Sequence, residues 1–367
     1  MMASTAPKKL PPLPVIRAID RLRDALGALQ RKLVPGHIAL LEFQVAGFLS
    51  QAISAAAELG IADELARGPR TAAELARAVE ADEDGLRRLM RLLVSYDLFA
   101  QRRDGTYALT RIGDALRSDA EVTLRDLSRF FGSPYHRNHW SHLTDAVRSG
   151  EAVGRALDGA SFFEYAAVNR EVGELFDNAM TSVSTLAIEP LLAAYDFSRF
   201  GTLVDVGGGR GSLLIELLGR YPAARGIVFD LPNVVEDLAA DLTAAGLGQR
   251  CAVESGSFFA EVPQGGDVYL LKHIVHDWSD AQAEQILRTV RAAMRPTSTL
   301  LLLELVLPEH RRPHPGKFID LEMLVNTEGG HERTEAEFRA LLARSGFTLE
   351  RTVQTAAPDC VLEARPR

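Results

Sequence analysis

The sequence has only two cysteines, Cys251 and Cys360, in 367 residues. Two thiols cannot build a disulfide framework or a four-ligand zinc site, and so few fit a reducing compartment, so the cytoplasm is the expected location. An excess of positive charge is also missing: 41 Lys and Arg against 49 Asp and Glu leave a net charge of -8. Such a chain has no general attraction to polyphosphate, and nucleic-acid binding would need a local basic face. The most apolar early stretch, Leu40 to Ala62, is interrupted by Glu42, Gln44, Ser50, Gln51, Ser54 and Glu58. Each is costly in hydrocarbon, so a buried helix is expected there, not a membrane span. Behind Lys8 and Lys9, Pro11, Pro12 and Pro14 break what would be the apolar core of a secretory signal, and a frayed tail is expected. Internal repeats and low-complexity runs are lacking. What remains is a chain 47% apolar and 25% charged, the composition of a soluble globular protein with two or three packing units.

Four regions follow from the pattern. In residues 1–36, Ile16, Ile19, Leu22, Leu26 and Leu29 have the spacing of one amphipathic helix, ending at Pro35-Gly36. Residues 37–120 read as helices followed by a hairpin. Thr71 and Glu74 form a capping box, and Leu98-Phe99-Ala100 and Tyr107-Ala108-Leu109 flank a turn with Asp104-Gly105. Three helices and a two-stranded wing make a winged-helix-like module. DNA binding by Arg87, Arg88 and Arg91 is disfavoured by Asp82, Glu83, Asp84 and Asp97, which cancel the charge that phosphate contacts require. Ala52, Ala55, Ala56 and Ala57 on one helix suit a close helix approach, in the core or between subunits. Residues 121–198 read as a helical linker and substrate region; His136, His139 and His142, at steps of three, leave a common helical face and do not suggest a metal site.

From Thr202 to the end, residues 199–367 alternate strand and helix, which predicts an α/β fold with helices on both faces of a mainly parallel sheet. Ligands on such sheets sit at the carboxyl ends of the strands. The turn Gly207-Gly208-Gly209-Arg210-Gly211 lets backbone approach a ligand closely, and Asp230, ending the next strand, can accept both hydroxyls of a ribose. The Asp205-x-Gly-x-Gly-x-Gly spacing departs from the dinucleotide pattern, which argues against a nicotinamide dehydrogenase. His276 and Asp277 lie between a strand's carboxyl end and a helix capped by Ser279, where catalytic groups collect. An imidazole titrating near 6.5 suits a general base for a hydroxyl.

The glycine turn resembles motif I of S-adenosylmethionine (SAM) methyltransferases. The segment Leu271-Lys272-His273-Ile274-Val275-His276-Asp277-Trp278-Ser279-Asp280 is similar to the His-Asp-Trp segment of the caffeic acid, hydroxyneurosporene and polyketide class of O-methyltransferases. Phe229-Asp230-Leu231-Pro232, Gly329-Gly330-His331-Glu332-Arg333-Thr334 and the helix from Trp140 to Gly150 resemble further motifs of that family, in the same order.

The resemblance implies a class I methyltransferase sheet behind an N-terminal, winged-helix-like dimerisation domain, hence a homodimer. It implies His276 as the base, with Glu304 and Glu332 flanking it, one steering the imidazole and one bordering substrate. Gly207, Gly209, Asp230, Leu231 and Lys272, with Asp205 of the motif, match SAM contacts. Phe176, Met180 and Met323 fall on positions lining the acceptor pocket. One departure stands out: relatives have Gly-Asp-Met-Phe where this chain has Gly256-Ser257-Phe258-Phe259. Ser257 can still hydrogen-bond and Phe258 can pack on adenine, so SAM binding is expected to survive with altered affinity. The expected reaction is methyl transfer to a hydroxyl of a small aromatic or polyketide-like acceptor. A fold relative that holds SAM structurally for hydroxylation or decarboxylation is the alternative, disfavoured because His276 is present.

Overall fold

The computed structural model describes residues 11–367; the frayed tail expected around Lys8 and Lys9 lies outside the described residues. The chain forms two compact units. One is built from Leu26–Ser141 and Ala166–Thr185; the other runs through Ala25 and takes in His142–Tyr165 and Leu186–Arg367.

The chain begins with α1 (Leu13–Lys32), α2 (Gly36–Glu58), α3 (Ile61–Ala66), α4 (Ala72–Ala78) and α5 (Glu83–Ser95), followed by the hairpin β1 (Phe99–Gln101) and β2 (Tyr107–Leu109). The expected capping box starts α4: the Thr71 hydroxyl accepts from Glu74 N while Glu74 Oε2 accepts from Thr71 N at 2.8 Å. In the wing, Asp104 Oδ1 accepts from Thr106 N at 3.0 Å and Gly105 takes a φ of 85°, so the turn chemistry read from Asp-Gly operates here. Leu86, Met90 and Leu93 on one face of α5 pack with Ile61, Leu65, Leu75 and Phe99 in this unit's core.

The expectation of a buried helix over Leu40–Ala62 holds only in part. Leu40, Leu41, Phe43 and Phe48 are exposed on the first half of α2, whereas Ala52, Ser54, Ala56 and Ala57 are buried in its second half. Only the small side chains admit a neighbour closely, and that neighbour is α6 (Arg125–Gly132). The helices α7 (Pro134–Ser141), α8 (Leu143–Ser149), α9 (Gly154–Asp158), α10 (Phe162–Val168) and α11 (Arg170–Ala194) complete the helical stretch. His136 and His139 are buried among rings, 5.0 Å from Phe130 and 4.3 Å from Tyr135 respectively.

The C-terminal part continues with β3 (Thr202–Val206), α12 (Ser212–Arg220), β4 (Arg225–Asp230), α13 (Pro232–Val235), α14 (Leu238–Ala244), β5 (Cys251–Ser255) and β6 (Val268–Lys272). Then come α15 (Asp280–Ala293), β7 (Thr299–Leu307), α16 (Pro315–Asn326), β8 (Arg333–Thr334), α17 (Glu335–Arg344), β9 (Phe347–Gln354) and β10 (Asp359–Pro366). The sheet order is β5-β4-β3-β6-β7-β10-β9, with β8 added to β7. All neighbours from β5 to β7 are parallel, and the final pair is antiparallel, as the closing runs suggested. Successive residues alternate between the two cores: Leu203, Leu270 and Leu301 face one, Val204, Leu271 and Leu302 the other. A continuous apolar run is what a strand covered on both faces requires. The chain starts in β3, winds outward to β5, then returns to β6, so a crevice opens at the carboxyl ends of β3 and β6.

A Cβ built on Gly132 of α6 would lie 1.7 Å from Ser54 Oγ and 2.2 Å from Ser54 Cβ on α2. Gly132→Ala is therefore expected to destabilise the protein by about 1–3 kcal/mol, as overpacking of a tight contact does. Thermal unfolding should show the loss, and adding Ser54→Gly should recover part of it; an unchanged melting temperature would contradict this packing.

Candidate active site

The glycine turn follows β3 with left-handed conformations at Gly207, Gly209 and Gly211, whose φ angles are 72°, 55° and 71°. A Cβ on Gly207 would come within 2.5 Å of the Ile274 side chain, while one on Gly209 would meet nothing within 4 Å. The backbone at Gly209 thus borders open space, as a cradle for a ligand must. Asp230, at the end of β4, braces this turn. Its Oδ2 accepts from Gly209 N at 2.8 Å and its Oδ1 from Leu231 N at 2.7 Å. Burial raises its pKa, although both amides hold it down. Each oxygen keeps a further lone pair for a hydroxyl donor.

Asp205 lies beneath the turn, 2% exposed, with its Oδ2 lacking a hydrogen-bond partner among the described residues. Burial pushes its carboxyl up to about 7; Lys272 opposes the rise and Asp230 adds to it. Burial likewise lowers the Lys272 amine, against the pull of Asp359, Asp205 and Glu304. Phe258 lies 3.7 Å from the place a Gly207 Cβ would occupy, and the Ser257 hydroxyl accepts from Phe259 N at 3.3 Å. Leu231, by contrast, is largely exposed. An open left-handed turn, a carboxylate with spare acceptor capacity and an aromatic face beside them fit a nucleoside-bearing ligand.

One strand away, β6 ends at Lys272 and a short helical turn over Val275–Asp277 carries His276, which is 7% exposed. Its Nδ1 donates to Glu332 Oε1 at 2.8 Å, and its Nε2 lies 3.5 Å from Asp277 Oδ1. Glu304 on β7 accepts from Ile274 N and Val275 N through one oxygen, at 3.2 and 2.8 Å. The structure therefore brings His276, Asp277, Glu304 and Glu332 together. Burial alone would lower the imidazole's pKa, but Asp277, Glu304 and Glu332 outweigh it and raise the value to about 10. Burial drives Glu304 up to about 7 and Asp277 up to about 6, with His276 restraining both.

Main-chain contacts fix this geometry. A Cβ on Gly330 would lie 2.6 Å from the His276 carbonyl oxygen, and His331 N donates to that same oxygen at 2.8 Å. Arg333, quoted above only as part of a motif, is 1% exposed. Its guanidinium donates to Val275 O at 2.9 Å, Trp278 O at 3.0 Å and Asp280 Oδ1 at 2.9 Å, gripping both flanks of the turn. So deeply buried a charge must be fully paired, yet the polar residues around it in sequence give no sign of that burial. Trp278 is held edge-on by Phe259 at 4.8 Å and stacked by Phe163 at 5.9 Å. Ser279 caps α15 by accepting from Gln282 N, while the Gln282 side chain accepts from the Ser279 hydroxyl and so does not close a capping box on the backbone.

Met323 is buried on α16. Phe176 and Met180 lie on the part of α11 that belongs to the other unit, where Phe176 packs edge-on against Phe130 at 5.6 Å.

Comparison with known proteins places the chain. A family model described as an O-methyltransferase domain matches residues 140–348, and one described as an O-methyltransferase dimerisation domain matches residues 42–119. The phenazine O-methyltransferase PhzM of Lysobacter antibioticus is 39% identical over 91% of this chain and 97% of its own length. The mitomycin biosynthesis 6-O-methyltransferase of Streptomyces lavendulae is 41% identical over 86% of this chain and 90% of its own. The crystal structure of human N-acetylserotonin methyltransferase in complex with SAM superposes with a TM-score of 0.84 at 29% identity, covering 91% of this chain and 98% of that one. With its glycine cradle, its histidine between strand and helix and these relatives, the chain belongs to the O-methyltransferase family and is a SAM-dependent methyltransferase.

Proposed function

We propose that His276 is the general base that takes the proton from a hydroxyl of a small aromatic or polyketide-like acceptor. The observation that carries this reading is the buried 2.8 Å bond from His276 Nδ1 to Glu332. A proton fixed on Nδ1 leaves Nε2 as the basic nitrogen, and the carboxylate stabilises the imidazolium that forms. Glu332 is the steering residue, Glu304 holds the turn through two backbone amides, and Asp277 adds negative charge beside Nε2. Bound SAM supplies an electrophilic methyl group on sulfur. Around it Gly207 and Gly209 offer backbone, Asp230 the ribose hydroxyl acceptors, and Leu231, Ser257 and Phe258 the adenosine contacts, with Asp205 and Lys272 beneath. Met323, Phe176 and Met180 are assigned to the acceptor side, within a linker and substrate region over residues 121–198. Much of the rate should come from holding the two reactants in line.

The assembly proposed is a homodimer in the cytoplasm that binds neither nucleic acid nor membrane. Leu22, Leu26 and Leu29 on α1 and Leu40, Leu41, Phe43 and Phe48 on α2 expose more apolar surface than single scattered residues explain. Helix α2 is long and apolar enough to cross a membrane, but Glu42 and Gln44 within it favour a protein partner.

Four outcomes are expected. His276→Ala should lower the turnover number by about 10²- to 10⁴-fold, and a loss of threefold or less would refute the base. Because the carboxylates raise the imidazole's pKa to about 10, its basic form gains as pH rises, so kcat/KM should increase through the alkaline range; Glu332→Gln should move that rise to lower pH. Asp230→Asn should weaken SAM binding by about 10- to 100-fold in calorimetry, the range for a hydrogen bond to a charged group. Light scattering should give a dimer mass that Phe48→Asp shifts toward monomer.

A further inference from the structure

His273 stands between the last residue of β6 and the turn that carries His276, and its φ is 52°. Non-glycine residues with such angles are uncommon and persist where their surroundings over-determine them. Its own N donates to Leu303 O at 3.0 Å, the last bond of the ladder between β6 and β7. Beyond it, Ile274 is right-handed, at φ −112° and ψ −48°. A left-handed residue followed by a right-handed one turns successive amides to one side, an arrangement that cups an anion. Here the anion is Glu304, whose Oε1 accepts from Ile274 N and Val275 N.

The His273 side chain is anchored elsewhere. Its Nε2 contacts Asp359 Oδ1, and the two side chains are 19% and 15% exposed. Because β7 lies between β6 and β10, the imidazole crosses a whole strand to reach the first residue of β10. Asp359 is opposite Leu305 and its neighbour Cys360 is opposite Glu304, so the anchor lands beside the glutamate that the turn grips.

We propose that the His273–Asp359 pair is a positioning device: it pins residue 273 in its left-handed conformation and thereby keeps the turn bearing His276 seated on Glu304. The kinetic consequence rests on His276 acting as the base, whereas the positioning itself can be measured without turnover. His276 is faced by Asp277 from its own turn, Glu304 from β7, Glu332 from the segment entering β8, and His273 at 5.5 Å between ring centroids. His273 in turn is faced by Lys272, Asp359 and His276.

The test is a histidine-ring NMR titration of the ligand-free protein, with the His276 signal identified by its absence in His276→Ala. His273→Asn is the key variant, since Asn tolerates left-handed backbone but is too short to span β7. In it and in Asp359→Ala, loosening of Glu304 should move the His276 titration about one unit toward lower pH, the size expected when an opposite charge draws away. Compared on the alkaline plateau, where the imidazole is neutral in variant and parent alike, the turnover number should fall about tenfold or more. Asp359→Asn, which keeps an acceptor, should retain most of it. A folded His273→Asn whose titration and turnover match the parent overturns the proposal, and so does a lower melting temperature with an unmoved titration; if Asp359→Ala does not fold, His273→Asn decides alone. The two readings fail separately. An active His276→Ala with a shifted titration removes the base and keeps the tether, while an inactive His276→Ala with an unshifted titration removes only the tether.

Discussion

The buried bond between Glu332 and His276 is the constraint around which the catalytic unit is organised. Neither group could be taken from water alone: an isolated buried charge costs several kcal/mol and is tolerated only when paired and held in good geometry. The partners come from segments far apart in the chain, one after β6 and one before α17. Bringing them together therefore requires a third layer of contacts. It is supplied by backbone: the missing side chain at Gly330, the His331 amide on the His276 carbonyl, and the Arg333 guanidinium on the carbonyls either side. The positions of the buried His276 and Glu332 side chains are thus set by main-chain and guanidinium contacts.

The same logic governs the cofactor side. Asp230 accepts from two backbone amides that shape the glycine turn and keeps spare acceptor capacity, which the proposed reading gives to the ribose. One carboxylate thus organises the cradle from beside it. Both this cradle and the histidine turn sit at carboxyl ends of adjacent strands because the winding order reverses between β3 and β6. A sheet wound in one direction would have no such crevice to share.

Much of this was legible in the sequence where local chemistry decides it. The strands, the glycine turn and the Thr71 cap followed from pattern and spacing, whereas the grouping of His276 with Glu304 and Glu332 came from family resemblance. What escaped reading depended on partners distant in sequence. The front of α2 carries large apolar side chains that spacing alone reads as core, yet they are exposed, while the small residues of its second half are buried against α6, α3 and α5. Arg333 looks like any charged residue until its acceptors at Val275 and Trp278 fold around it. The left-handed backbone of His273 has no sequence signal, since no glycine or asparagine marks it.

Every polar contact described for His276 originates in a single folding unit, the one that contains Leu186–Arg367. Residues such as Phe130, Phe176 and His139 lie in the other. The hydrogen bonds of the imidazole and the aromatic helices are therefore encoded in separable stretches of sequence. A substitution among those rings removes no hydrogen-bond partner from the imidazole.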